Sequence, residues 1–131
     1  MTRKQKDSLN TSRRFAIPAK SNELQLDLDS ADSLRLHGFY YHLLEREGLT
    51  KGWISSYVPS DTPGHYHCTI TMPHSLHIRD RILFQALLGS HLTREVYNFV
   101  RSERGAKIPI VFFRATHNRK PVQVKFQIKE T

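Results

Sequence analysis

The sequence contains almost no cysteine and no long apolar run. Its single cysteine, Cys68, excludes an internal disulfide and is typical of proteins in a reducing compartment. No apolar stretch approaches the ~18 residues needed to span a bilayer, and the basic N-terminus lacks the apolar segment of a signal peptide. We therefore expect a cytoplasmic protein without a membrane partner.

Acidic residues are scarce relative to basic ones. The 131 residues include 20 Lys and Arg against 12 Asp and Glu, which gives a formal net charge of +8. An excess of this size favours a polyanionic partner, most simply single-stranded DNA or RNA or a nucleotide. The length fits one domain with its own hydrophobic core.

The first 22 residues are basic and poor in apolar side chains. Their charged residues are Arg3, Lys4, Lys6, Asp7, Arg13, Arg14 and Lys20. This composition predicts a basic flexible arm over residues 1–22, followed by a single domain over residues 23–131. Arg13 and Arg14 are candidate contacts to nucleic-acid phosphates, with a plain flexible terminus as the alternative.

Residues 23–29 alternate between apolar and polar side chains, which predicts a half-buried strand. Its apolar face carries Leu24, Leu26 and Leu28. Asp27 and Asp29 lie on the opposite face, because successive side chains of a strand point to opposite sides. Ser30 or Asp32 is placed to cap a helix over residues 31–47.

The remaining elements are predicted from the same periodicities and from turn residues. Strands are expected at 52–58, 65–72, 108–113 and 122–128, and a helical region at 78–102. The helical region has one apolar stripe, and four arginines lie outside it. The stripe consists of Ile82, Leu83, Leu87, Leu88, Leu92, Val96, Phe99 and Val100; the arginines are Arg79, Arg81, Arg94 and Arg101.

This β-α-β-β-α-β order, with one extra C-terminal strand, predicts an α+β protein with a ferredoxin-like or RRM-like sheet and helices on one face. In that arrangement the first and third strands are central neighbours. The third strand carries His65 and His67 on one face, and Cys68 on the face expected to be core. Asp27, Asp29, His65 and His67 are therefore expected together on the open face of the sheet.

Two carboxylates beside an imidazole are suited to a divalent cation and a phosphate. Hard oxygen ligands favour Mg²⁺ or Mn²⁺, and a histidine on the neighbouring strand can bind a phosphate oxygen or a metal. A solvated strand face remains the alternative for Asp27 and Asp29.

The stretch Leu26–Ser30, with its Asp-x-Asp, and the stretch Ser60–Cys68 together resemble the archaeo-eukaryotic primase superfamily. The stretch Arg79–Arg101 is similar to small primase-like proteins of phages and plasmids. The resemblance implies an RRM-like sheet, a role in DNA replication and metal-dependent nucleotidyl transfer. It makes Asp27 and Asp29 catalytic metal ligands and His67 the catalytic contact to the nucleotide phosphates. The phosphate-binding residues that it implies are Ser60, Gly64 and His65.

The family pattern also includes a third acidic residue late in the core. Here Asp80 is predicted on a helix, and His91 stands where an acid would be expected. A relative that keeps the fold but has reduced or lost catalysis is therefore an open alternative. So is a non-catalytic module that binds single-stranded nucleic acid or a protein partner.

Two further enzyme classes share parts of this pattern. His65-Tyr66-His67 fits the histidine pair of HUH nicking endonucleases, with Tyr97 as nucleophile and Asp27 or Asp29 as the remaining ligand. A 2H phosphoesterase would use His67-Cys68-Thr69. That class needs a second such motif on a paired strand, and the sequence offers none.

Four basic residues near the C-terminus are candidates for binding nucleic acid. They are Arg114, Arg119, Lys120 and Lys125. Cations gathered near one hairpin favour contact with a phosphate backbone. A solvated basic hairpin is the alternative.

Overall fold

A three-stranded antiparallel sheet forms the centre of the molecule. The computed structural model of the protein describes residues 15–114 and 119–126. Its elements are β1 (Phe15–Pro18), β2 (Glu23–Leu28), α1 (Ala31–Arg46), β3 (Ile54–Pro59), β4 (Tyr66–Thr71), α2 (Ile78–Leu87), α3 (Leu92–Glu103) and β5 (Val111–Arg114). The α+β class predicted from the sequence is confirmed.

The predicted adjacency of the two motif-bearing strands is also confirmed. β4 lies between β2 and β3 and is antiparallel to both. In this register Asp27 is paired with His67, and Leu26 with Cys68. The two alternation patterns therefore do place a carboxylate and an imidazole side by side on one face.

The opposite face of the sheet holds the hydrophobic core. Its buried members are Leu24, Leu26, Leu28, Cys68, Ile70, Met72 and Leu88. Cys68 is fully buried, as predicted. Helix α1 begins after Ser30, whose side chain accepts a hydrogen bond from the Ser33 backbone N–H at 3.0 Å in a capping box.

The fourth predicted strand does not join this sheet. β5 pairs antiparallel with β1 in a separate two-stranded sheet, with Phe15 opposite Arg114. The predicted flexible arm is accordingly wrong for residues 15–18, because their backbone is ordered by this pairing. Residues 1–14, including Arg13 and Arg14, lie outside the described residues.

A ferredoxin-like sheet would add its fourth strand at the edge of β2 that does not pair with β4. Here that edge is covered by side chains and by the α2–α3 connection. The Gln25 and Asp27 backbone N–H groups donate to Gln85 Oε1 and Ser90 Oγ, both at 2.9 Å. The His91 backbone N–H donates to the Asp27 carbonyl at 2.8 Å. Because these contacts satisfy the edge, β5 has no ladder to complete there.

The extra C-terminal strand predicted over residues 122–128 is not formed within the described residues. Only Val122 pairs, in a single bridge with Tyr57. Phe126 packs its ring against His37 and Tyr57, at 5.7 Å between ring centroids in each case. Packing of the aromatic ring takes the place of a continuous ladder.

The predicted apolar stripe is divided in the structure. Ile82 and Leu88 are buried, whereas most of the stripe is exposed, namely Leu83, Leu87, Leu92, Val96 and Phe99. Helix α3 instead buries Glu95 and Asn98, which are 2% and 0% exposed. Its polar face is turned toward the body of the protein.

The Glu95 carboxylate explains this orientation. It accepts hydrogen bonds from Gln85 Nε2 at 2.7 Å, Ser90 Oγ at 2.6 Å, Arg94 at 2.7 Å and Asn98 Nδ2 at 3.0 Å. Such a complete set of donors makes a buried carboxylate tolerable. Within the described residues, no helix is long and apolar enough to cross a membrane.

Candidate functional site

A cavity of about 370 Å³ opens beside the predicted acidic and histidine-bearing strands. It is bounded by β2, by the loop that precedes β4, by α3 and by β5. Four predicted site residues line it, namely Asp27, Ser60, His65 and His67. Three residues from α3 line it as well, namely Arg94, Tyr97 and Arg101.

His67 is held in place by an aromatic neighbour. Its imidazole stacks on the Phe112 ring, with 4.0 Å between centroids and 2° between planes. Its Nε2 lies 3.9 Å from Asp27 Oδ1. The buried ring is thus fixed between β5 and the carboxylate across the sheet.

Asp27 lies in an environment that disfavours its charge. Burial raises the pKa of its carboxyl above the ordinary value, and the nearby Asp29 charge acts in the same direction. Arg94, His91 and His65 act to lower that pKa, but they do not reverse the shift. A carboxylate of this kind is stabilised by any cation that comes close to it.

Asp29 contacts the residue that stands in place of the expected third acid. Nε2 of His91 lies 3.2 Å from Asp29 Oδ2. Nδ1 of the same ring accepts a hydrogen bond from the Arg94 backbone N–H at 3.3 Å and so caps α3. Position 91 is therefore part of the acidic site, although its side chain is an imidazole.

Arg94 joins the cavity to the core of the protein. Its guanidinium donates to the Gln25 carbonyl at 2.8 Å and to the Val111 carbonyl at 3.3 Å. It also forms an ion pair with Glu95 at 2.7 Å and lies 4.9 Å from the Phe112 ring centroid. Burial lowers the pKa of this guanidinium, while Glu95 and Asp27 act to raise it.

Arg101 supplies a second guanidinium to the cavity. It donates to Asn98 Oδ1 at 2.5 Å and to the Pro109 carbonyl at 3.2 Å. These contacts hold the side chain between α3 and the segment that precedes β5. Neither Arg94 nor Arg101 was predicted from the sequence to be a site residue.

The loop over residues 60–64 is held by Arg119. Its guanidinium donates to the Ser60 carbonyl at 2.6 Å and to the Asp61 carboxylate at 2.7 Å. Gly64 has a φ of +80° and nothing within 4 Å of the place where a Cβ would be. The glycine is therefore needed for the turn itself and not for a close approach to a neighbouring atom.

Of the four predicted basic residues near the C-terminus, the three whose side chains the structure describes do not line this cavity. Arg119 is engaged by the loop, and Lys120 is exposed. Lys125 lines a different cavity of about 580 Å³ beside α1. The Arg114 backbone ends β5, but its side chain lies outside the described residues.

Among residues 15–114 and 119–126, no group of three or more His, Cys, Asp or Glu side chains is arranged to hold a metal ion. Asp27 and Asp29 offer two carboxylates, and each of them faces an imidazole.

Comparisons with family models, with curated proteins and with solved structures found no match for this chain. The structural class of the protein therefore rests on its fold and its candidate site alone. It is an α+β protein in which imidazole and guanidinium groups surround a cavity against an acidic strand.

Proposed function

We propose that this protein is a primase-like nucleotide- and nucleic-acid-binding protein of phage or plasmid type, and that its cavity binds nucleotide phosphates. One observation carries the proposal: His65, His67, Arg94 and Arg101 line one cavity together with Asp27. Imidazole and guanidinium groups donate hydrogen bonds to phosphate oxygens and complement their charge. The net charge of +8 supports a polyanionic ligand.

The acidic residues fit a magnesium or manganese ion that arrives with the nucleotide. Burial raises the pKa of the Asp27 carboxyl despite the nearby Arg94, His91 and His65, so a further cation would stabilise its charged form. Mg²⁺ commonly uses one or two protein carboxylates and completes its shell with water and substrate phosphates. Asp27 and Asp29 would hold this ion, with the remaining ligands supplied by the triphosphate.

When bound, such an ion would neutralise charge on the transferred phosphoryl group and favour attack by a hydroxyl. The chain's own residues supply the rest of the site. His65 and His67 orient the phosphate, Phe112 fixes His67, and the loop at Ser60 closes one side. With His91 in place of a third acid, we propose nucleotide binding as the retained function and a reduced capacity for nucleotidyl transfer.

Calorimetry with Mn²⁺ and ATP tests this proposal. We expect weak Mn²⁺ binding by the free protein, measurable binding with ATP present, and loss of that binding in the Asp27→Ala/Asp29→Ala variant. His65→Ala should weaken ATP binding about tenfold, since a charge-assisted hydrogen bond is lost. The exposed His74→Ala serves as the matched control. ATP binding that is unchanged in both site variants would refute the proposal.

Single-stranded nucleic acid provides a second readout. If the basic surface binds its backbone, affinity for an oligonucleotide should fall steeply as the salt concentration rises. An affinity that does not change with salt would contradict this part of the proposal. Salt-dependent binding without any ATP binding would favour the non-catalytic binding module.

Tyr97 favours a second candidate function. It lines the same cavity as His65 and His67, the arrangement that an HUH-type nicking endonuclease needs for its tyrosine nucleophile and histidine pair. Incubation with single-stranded DNA and Mn²⁺ should then give a covalent protein–DNA adduct that Tyr97→Phe abolishes. Absence of any adduct would exclude this candidate.

A further inference from the structure

Tyr97 is an exposed aromatic residue at the rim of the cavity. Its side chain is 61% exposed although it lines the same space as His65 and Arg101. We propose that the Tyr97 ring is a stacking platform for a nucleobase. The ligand class of this cavity is then a nucleotide with its base, and not phosphate or polyphosphate alone. This inference rests on the proposed phosphate-binding function and specifies its ligand.

The spacing of three residues on α3 is consistent with a base-binding position next to the phosphate-binding groups of the cavity. Arg94, Tyr97 and Arg101 are separated by three and four residues, so they lie along one face of the helix. Tyr97 therefore lies between the two arginines along that face of the helix. A base and its phosphates are joined by one sugar, so phosphates bound by the cations would bring the base close to the ring.

The helix backbone that carries the ring is anchored before any ligand binds. Glu95 and Asn98, two positions before and one position after Tyr97, are almost completely buried and are hydrogen-bonded to each other at 3.0 Å. The backbone that carries the ring is therefore anchored, and a tyrosine has only two side-chain torsions to order. Stacking of a base on an aromatic side chain is sequence-tolerant and strengthens binding about 5- to 150-fold.

The exposed aromatic residue on the opposite side of α3 provides a matched control. Phe99 is 44% exposed and lines an apolar groove with Leu83 and Val96, outside the phosphate-binding cavity. Removal of its ring changes the exposed aromatic surface of the same helix without changing the proposed platform.

The experiment compares ATP with inorganic tripolyphosphate by calorimetry at a fixed Mg²⁺ concentration. The wild type should prefer ATP by about tenfold. Tyr97→Phe keeps the ring and should keep the preference. Tyr97→Leu should bind ATP only as tightly as tripolyphosphate, with its tripolyphosphate affinity unchanged. Phe99→Leu should match the wild type.

The possible failures can be distinguished. Equal affinity of the wild type for the two ligands, or a preference that survives in Tyr97→Leu, would overturn the stacking platform and leave phosphate binding intact. Absence of binding for both ligands would overturn the proposed function and this inference together. Retention of the preference in Tyr97→Phe would show that the preference depends on the aromatic ring and not on the phenol hydroxyl.

Discussion

The His91 imidazole lies against the Asp29 carboxylate, with 3.2 Å between Nε2 and Oδ2. The backbone N–H of the same residue donates to the Asp27 carbonyl. Position 91 is therefore tied to both acidic residues of the site.

Replacement of His91 by aspartate should create a third carboxylate in the acidic site. We expect His91→Asp to bind Mn²⁺ without nucleotide at least about tenfold more tightly than the wild type, because added ligand charge increases cation affinity. His91→Asn is the matched control, since both Asp and Asn can cap α3 but only Asp adds charge. Equal Mn²⁺ affinity of the two variants in calorimetry would contradict the assignment of position 91 to the site.

Asp27 should reduce stability at neutral pH. Its pKa is raised in the folded state, chiefly by burial, so the folded protein favours the protonated carboxyl more than the unfolded chain does. Asp27→Asn should therefore increase the free energy of unfolding at pH 7 while it weakens Mg²⁺-dependent ATP binding. Urea denaturation measures the first effect. The exposed Asp80→Asn is the control and should show no gain.

His37 should make stability depend on acidity. It is fully buried, and burial lowers the pKa of its imidazole from 6.5 to about 4. Between these values the unfolded chain binds the extra proton and the folded protein does not. The free energy of unfolding is therefore highest above pH 6.5. It falls by about 3 kcal/mol as the pH decreases toward 4.

His37→Asn provides the comparison for this prediction. The wild-type imidazole contacts the Leu88 carbonyl through Nδ1 at 2.8 Å and the Tyr57 hydroxyl through Nε2 at 2.6 Å. The asparagine amide can still donate to the Leu88 carbonyl, but it does not titrate. Urea denaturation at pH 7 and pH 4.5 should show a smaller drop for the variant, and an equal drop would rule out His37 as the cause.

Glu95 should be essential for the orientation of α3. Its carboxylate is buried and accepts four hydrogen bonds, including one from Arg94 at 2.7 Å. Glu95→Gln places an amide among those donors and leaves Arg94 without its ion pair, so we expect a loss of about 3 kcal/mol in the free energy of unfolding. Glu103→Gln, which breaks the more exposed pair with Arg79, should cost less than about 1 kcal/mol. Similar losses for the two variants would contradict this role.

The sequence was sufficient to predict the pairing of the acidic strand with the histidine strand. Strict alternation defines the two faces of each strand, and the crossover order brings the strands together. The association of Asp27 with His67 followed from those local patterns. Cys68 and the leucines of β2 could be assigned to the core for the same reason.

The orientation of α3 could not be predicted in this way. Periodicity indicates which residues share a face, but it does not indicate which face is buried when the polar face can satisfy all its hydrogen bonds. That outcome depends on Gln85 and Ser90, which meet Glu95 only in the folded chain. Arg94 and Arg101 were missed as site residues for this reason, although their spacing with Tyr97 was visible in the sequence.

The pairing of β5 with β1 in a separate sheet could not be predicted from the sequence pattern either. The edge of β2 is satisfied by side chains of Gln85 and Ser90 and by the His91 backbone. These are tertiary contacts without a periodic signature. The short apolar segment over residues 15–18 was too brief to be distinguished from the basic residues around it.

The most direct test of the central claim is a nuclear magnetic resonance titration of the labelled protein with ATP and Mg²⁺. If the cavity binds nucleotide phosphates, the largest shifts should fall on the imidazoles of His65 and His67 and the guanidinium of Arg101, with His74 as the internal control. Shifts that avoid these groups, or no shifts at saturating ATP, would contradict the assignment of this cavity as the nucleotide site.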